Sequence, residues 1–230
     1  MSVTDLTPTP DSCATLRAAH EFSSWCSSPG KRALDWVCAL SLLLAALPLM
    51  VIVAALIKFT SQGPAFFRQT RVGRDGALFQ LMKFRTMYDG GRGPRLALTR
   101  RGDPRVTRVG RVLRKWKLDE LPQLFNVVRG EMSLVGPRPD LPDYIRWLPA
   151  DQHSVVFLRP GITGRASLQF RDEEVLLAQV PAQEMEGFYR SVLLPRKVTL
   201  ELEYARGARL SSDIGILLRT VGAVFGGARQ

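Results

Sequence analysis

Histidine and cysteine are scarce in this chain. Only His20 and His153 occur among 230 residues, and the three cysteines, Cys13, Cys26 and Cys38, all lie in the N-terminal part without a CxxC pair. Zinc sites and disulfide frameworks need closely spaced ligands of these two types, so neither organises this fold, and a reducing cytoplasmic setting fits. Acidic residues are also in deficit. There are 21 Asp and Glu against 32 Lys and Arg, a formal charge of +11, which suits nucleic acid, an anionic membrane face or a phosphorylated substrate. No internal repeat or sustained heptad is visible, which removes solenoids and long coiled coils. A chain of this length fits one sizeable domain.

What the sequence does have is one long apolar run. Residues 36 to 57, WVCALSLLLAALPLMVIVAALI, carry no charge and as a helix would cross about 30 Å of hydrocarbon. Pro48 sits in the middle, where it removes a backbone donor and crowds the preceding turn. A kinked span and a re-entrant hairpin both fit these residues. Lys31 and Arg32 precede the run and Lys58 follows it, so both flanks obey the positive-inside preference only if both lie on the cytoplasmic face. Residues 1–28, rich in Ser, Thr and Pro, read as a mobile tail rather than a secretory signal, because the apolar run starts late and no small-residue cleavage site ends it. The resulting division is a tail at 1–28, a membrane helix at 29–58 and a main domain at 59–230.

Chemistry is densest between Asp103 and Pro139. Asp103 and Pro104 suit the start of a helix in which Val106, Val109, Leu113 and Trp116 form an apolar face, while Arg105, Arg108, Arg111, Arg114 and Lys115 form a basic one. Asp119 and Glu120 follow, and Pro122 is placed to open a second helix with Leu121, Leu124, Phe125 and Val128 as its stripe. An acid at that point caps a helix and meets its dipole, and from spacing alone capping explains the pair better than catalysis. A Gly136-Pro137-Arg138-Pro139 turn closes the segment.

Elsewhere the pattern predicts a strand, a turn and a strand over residues 65–84, with Lys83 and Arg85 at its end. A Gly- and Arg-rich loop over 88–102 is expected to be mobile. A short helix is expected near 141–148, with Tyr144 and Trp147 in the core or at a lipid interface. The Pro160-Gly161 and Thr163-Gly164 turns lead into a strand through Ala166, Leu168 and Phe170. Helical periodicity then runs through 173–179 and 183–204 and in a final amphipathic helix from Ser212 to about Phe225. The fold class is therefore α/β, mainly helical with a small sheet, membrane-associated, with amphipathic helices at its surface.

The motifs Gly-Asp-Pro-Arg, Arg114-Lys115-x-x-Leu118-Asp119-Glu120-Leu121-Pro122-Gln123-Leu124-x-Asn126-Val127 and Gly130-Glu131-Met132-Ser133-Leu134-Val135-Gly136-Pro137-Arg138-Pro139 resemble the bacterial sugar transferases, the small monotopic phosphoglycosyl transferases. The resemblance extends upstream through Lys83-Phe84-Arg85-Thr86-Met87 and downstream through Arg159-Pro160-Gly161-Ile162-Thr163-Gly164, covering about residues 31–225. One departure stands out: Ala166-Ser167-Leu168-Gln169-Phe170-Arg171 replaces the Ala-Gln-Val-x-Gly-Arg of many relatives. The chain also lacks the several N-terminal membrane helices of larger relatives and looks like the minimal catalytic form.

The resemblance implies transfer of a sugar 1-phosphate from a UDP-sugar to a polyprenol phosphate, in the manner of undecaprenyl phosphate, with release of UMP. Asp119 matches the nucleophile, Glu120 a metal-binding acid for Mg²⁺, and Arg138 a nucleotide-side contact. Lys83, Arg85, Arg114 and Arg171 match basic positions around the diphosphate. It also favours the re-entrant membrane helix and a place on the cytoplasmic face of the bacterial inner membrane, against anionic lipids. Self-association is open. A basic membrane adaptor is the competing reading, and it leaves the acids and glycines of residues 119–139 unexplained. Nucleic acid is not an expected partner, since the basic helix has no accompanying recognition module or aromatic stacking series.

Overall fold

The structure, a computed structural model, describes residues 22–88 and 98–226. Most of the tail and most of the 88–102 loop lie outside the described residues. Residues 22–28 lie inside them, and they are packed: a 3₁₀ turn at Ser24–Ser27 is pinned where Ser23 N–H donates to Ala205 O and Ser23 Oγ donates to Ala208 O.

Helix α1 runs over Pro29–Thr60, opened by the Ser28 hydroxyl, which accepts from Lys31 N. Pro48 lies inside one continuous element, so whatever bend the proline introduces leaves the helix unbroken. Its inward residues recur at helical spacing, Lys31, Asp35, Ala39, Leu43, Met50, Val53 and Ile57. Leu44, Val51, Ile52, Leu56 and Phe59 face outward and exposed. Among the described residues it is the one helix long and apolar enough to cross a membrane.

The expected hairpin follows as β1 (Phe66–Val72) and β2 (Leu78–Phe84), antiparallel with Phe66 opposite Phe84 and Phe67 opposite Lys83. Helix α2 covers Arg108–Lys115 and begins later than its sequence suggests. Thr107 is its cap, with Oγ accepting from Gly110 N at 2.8 Å, because Asp103 is already committed to Arg105 through its backbone N–H and a 2.7 Å ion pair. After the 3₁₀ turn Leu118–Glu120 comes α3 (Gln123–Arg129), then β3 (Ser133–Val135) and α4 (Pro142–Arg146). Strand β4 (Gly161–Thr163) pairs in parallel with β3, so the strands form two separate two-stranded sheets in a mainly helical body.

Residues 165–169 form a helix, α5 (Arg165–Gln169), where alternation suggested a strand. The cause is tertiary: the Glu201 carboxylate accepts from Ala166 N at 2.9 Å and so supplies the helix start with an acceptor the local sequence lacks. Helices α6 (Glu173–Ala178), α7 (Met185–Phe188) and α8 (Leu194–Gly207) follow, the last two joined by a π-helical turn, Tyr189–Leu193. That wider turn precedes Pro195, which has no N–H to donate. Helix α9 (Leu210–Phe225) ends the described chain with Leu210, Ile214, Leu218 and Val221 exposed along one side.

Two apolar clusters fill the interior. One joins α1, the hairpin, α3 and β3 around Ala39, Ile57, Phe84, Val127 and Met132, and the other gathers Tyr144, Leu177, Leu193, Leu194 and Leu202 under α8. The candidate site lies where the first cluster meets the turn at 118–120.

Candidate active site

The turn that carries the two acids is built against preference. Lys117 takes a left-handed conformation (φ 55°), which costs a non-glycine residue about 1 kcal/mol, and the chain then folds inward so that Asp119 is buried with 7% exposure. Asp119 is not the cap of α3. That helix starts at Gln123 with Pro122 before it and has no side-chain cap. Among the described residues the Asp119 side-chain Oδ1 is buried without a hydrogen-bond partner. Capping is therefore overturned as the reason for this acid. Burial, reinforced by the neighbouring Glu120, raises the Asp119 pKa, while Lys83, Lys117 and Arg114 act against the rise. The expected help from a helix dipole does not set its charge.

Glu120 is the reverse case. Lys83 Nζ donates to its Oε1 at 2.9 Å and Arg138 Nη2 donates to the same oxygen at 2.8 Å. Burial alone would raise this carboxyl; the Arg138 guanidinium and the Lys83 ammonium outweigh it and hold Glu120 well below the usual carboxylate range. Lys83 is itself pulled down by burial, against the attraction of Glu120.

Three elements bring these groups together. Lys83 stands near the end of β2, and β2 is clamped to α3 by Asn126, whose Oδ1 accepts from Met82 N at 3.1 Å and whose Nδ2 donates to Gln80 O at 2.8 Å. Arg138 rides on the turn after β3, which Arg71 Nη1 ties to Pro139 O and Val72 N–H ties to Asp140 O. The turn passes so near β4 that a Cβ on Gly136 would lie 2.5 Å from Arg159 O and one on Gly161 would lie 2.2 Å from Gly136 N. Side chains at either position would push Arg138 out of line with Glu120.

Of the basic residues singled out in the sequence, Lys83 and Arg138 meet at Glu120. Arg114 acts on Asp119 through charge alone, its own guanidinium being bonded to Thr86 Oγ1 and Glu174. Arg85 reaches Ser61 instead. Arg171 lies half-buried in the turn between α5 and α6, and the structure does not bring it to the acids. Sequence reasoning passed over Asn126 as one residue of an apolar helix; an amide among apolar neighbours was the available signal, one that Gln123 in the same helix also gives. It also passed over Glu201 and Lys197. With Arg138, Asp140 and Gly73 these line a pocket on the Arg138 side, whose walls do not include Asp119 or Glu120. Glu201 is 2% exposed, its Oε2 has no partner among the described residues, and burial pushes its pKa up to about 7.

A buried carboxylate oxygen without a partner beside an acid neutralised by two cations puts a nucleophile and positive charge together, the two things that attack on a phosphorus centre needs. Known proteins are similar to this chain in sequence. A relative in Caulobacter vibrioides, a UDP-glucose:undecaprenyl-phosphate glucose-1-phosphate transferase, is 44% identical over 195 residues, 83% of this chain and 68% of the relative. An undecaprenyl-phosphate glucose phosphotransferase of Komagataeibacter xylinus is 41% identical over 206 residues, 83% of this chain but 35% of the relative. The exopolysaccharide production protein ExoY of Sinorhizobium fredii is 34% identical, with 84% of each chain covered. The sequence pattern described as Bacterial sugar transferase matches residues 26–227, a span that takes in α1, the acid turn and the Arg138 turn alike, and the chain belongs to that family.

Proposed function

We propose that the protein transfers a sugar 1-phosphate from a UDP-sugar to a polyprenol phosphate of the undecaprenyl type, as the names of its relatives describe for them, and that Asp119 carries the phosphosugar between the two. The observation that carries this reading is the unpartnered Asp119 Oδ1 next to the cation-held Glu120. An oxygen of Asp119 attacks the sugar-bearing phosphorus, an acyl phosphate bond forms, and the bridging P–O bond breaks with its electron pair leaving on UMP. A phosphate oxygen of the lipid then attacks the same phosphorus, and the Asp119 carboxylate departs. Lys83 and Arg138 offset the charge on the phosphates in both steps.

The donor set fits Mg²⁺, which takes one or two carboxylates and completes its shell with water and phosphate. Asp119 and Glu120 form such a pair, and among the described residues no group of three or more His, Cys, Asp or Glu is gathered into a closed cage. Glu120 would hold the ion. Bound there, Mg²⁺ would neutralise the diphosphate and its leaving group. Excess chelator should stop turnover, and added Mg²⁺ should restore it.

The re-entrant topology has support from both ends of α1. Near its start Arg32 donates to Val127 O and Val128 O, and Asp35 accepts from Ser133 Oγ and Leu134 N; just past its end Ser61 accepts from Arg85. All of these partners belong to one body, joined through the Asn126–Met82 bond. A crossing helix would have to hold them on opposite faces of about 30 Å of hydrocarbon. A helix that enters and leaves one leaflet at the cytoplasmic face of the inner membrane avoids that conflict.

The test is intact-protein mass spectrometry with UDP-glucose and no lipid acceptor. A hexose-phosphate adduct should form on the peptide bearing Asp119 and discharge when undecaprenyl phosphate is added. An adduct on another residue would remove Asp119 from its role.

A further inference from the structure

Arg85 is the buried cation that the site leaves without a counter-ion. It is 6% exposed. Its Nη2 donates to Ser61 O and Ser61 Oγ, both at 2.8 Å, and both acceptors are neutral. Its Nε and Nη1 are buried with no partner among the described residues, and these atoms carry three of the five guanidinium N–H groups. By contrast Lys31, Lys83, Arg114, Arg138 and Lys197 each hold a carboxylate. A buried charge without a partner is strongly unfavourable, and a guanidinium is shaped to receive carboxylate or phosphate.

Its position says which phosphate. Arg85 N–H donates to Ala65 O at 2.9 Å, extending the hairpin ladder one pair beyond Phe66 and Phe84. Alternation along that strand places Arg85 on the same face as Lys83, about 7 Å further along. Lys83 points to Glu120, whereas Arg85 reaches the residue that ends α1. The last turns of α1 present Ile52, Leu56 and Phe59, the last with 88% exposure. With that surface in lipid, Ser61 and Arg85 lie at headgroup depth. The donor diphosphate is water-soluble and already has Lys83 and Arg138 at Glu120, while the acceptor phosphate is held at headgroup depth by its own chain.

We infer that Arg85 binds the phosphate of the lipid acceptor and feeds it toward Asp119 along the Lys83 face, so that the two substrates approach the acid turn from different sides. This rests on the transfer reaction proposed above. The chemistry recognised is a phosphate on a lipid, which a bulk phospholipid also offers, and the experiment separates the two sources.

Full-length wild type, Arg85→Gln and Arg85→Lys are placed in phosphatidylcholine nanodiscs. The donor half-reaction is read as exchange of labelled UMP into UDP-glucose without acceptor, and the full reaction as a titration with undecaprenyl phosphate. Arg85→Gln should raise the acceptor KM by roughly tenfold or more while exchange changes less than twofold, and Arg85→Lys should recover part of the loss. A parallel fall in exchange would put Arg85 on the donor side and overturn the inference. So would a lowered thermal midpoint with an unchanged acceptor KM, the outcome if Arg85 only caps α1 through Ser61. If replacing half the phosphatidylcholine with phosphatidylglycerol inhibits the wild type but not Arg85→Gln, the site takes any lipid phosphate and the assignment to the acceptor falls. Absence of exchange in the wild type would instead overturn the transfer reaction on which the inference stands.

Discussion

Two regions of this molecule bury acids beside cations, and they do so to opposite ends. Where α1, α8 and α9 meet, Asp213 receives Lys31 Nζ, Trp25 Nε1 at 2.9 Å and the Tyr204 hydroxyl, and Asp35 nearby accepts from Ser133 Oγ and Leu134 N. None of these acidic oxygens is left over. At the acid turn Asp119 Oδ1 has no partner among the described residues, and beyond Lys83, toward the end of α1, two nitrogens of Arg85 have none either. Buried polar groups are normally satisfied, so a complete network needs no explanation beyond structure and an incomplete one calls for another. The first region fixes α1 to the domain, and the second is the place proposed above to take phosphate.

The contrast can be broken most sharply at Asp119. Asp119→Asn should lower turnover by three or more powers of ten, since an amide cannot form the acyl phosphate. The thermal midpoint should hold or rise, because the substitution removes a buried carboxylate that the fold disfavours in its charged form. A variant that melted early would show that Asp119 serves structure after all. Next in size, Asp213→Ala leaves Lys31 buried and unpaired and should cost about 3–5 kcal/mol of stability, read by thermal denaturation in detergent. Replacing both members with leucine and methionine should recover much of that loss, which the acid turn would never allow for activity.

Glu201 tests whether an incomplete group outside the acid turn behaves like the first region or the second. Its pKa stands at about 7, above its ordinary 4.5, chiefly because it is buried. The folded state binds this proton more tightly than the unfolded chain, so the stabilisation is complete below about pH 4.5 and is lost as pH rises through about 7. Ionising Glu201 then costs about 3 kcal/mol. The difference in thermal midpoint between wild type and Glu201→Gln, followed from pH 4.5 to 8, should show that slope. A flat difference would mean that Glu201 is solvated in the native state.

What could be read from the sequence divides along the same line. The hairpin was legible because period-two alternation places it locally, whereas the acid pair, Lys83 and Arg138 were singled out together by the family resemblance and not by their spacing. The start of α2 was misplaced because Asp103 and Thr107 are both good caps, and Arg105 decides between them by taking Asp103. The helix at 165–169 and the packing of residues 22–28 depend on Glu201, Ala205 and Ala208, distant in sequence. No local pattern announces such partners. The unpartnered Asp119 oxygen, which speaks against a cap, follows from tertiary burial that no local pattern announces.

Trp25 offers the smallest and most diagnostic change, because it lies in the stretch that composition reads as tail. Its indole N–H is one of the donors to Asp213 Oδ2, beside Lys31. Trp25→Phe keeps an aromatic ring against the first apolar cluster and removes only that N–H, so Asp213 retains Lys31 and Tyr204. A hydrogen bond to a charged group contributes about 1.5–3 kcal/mol, and the surviving donors should hold the loss near the lower figure. Turnover per folded molecule should be unchanged, since the acid turn does not depend on this bond. Trp25→Ala should cost more, by the packing of the ring. If Trp25→Phe left the thermal midpoint where it was, the network at Asp213 would be complete without its third donor. If it lowered turnover without lowering stability, the anchoring region and the acid turn would be coupled, and the division between them would no longer hold.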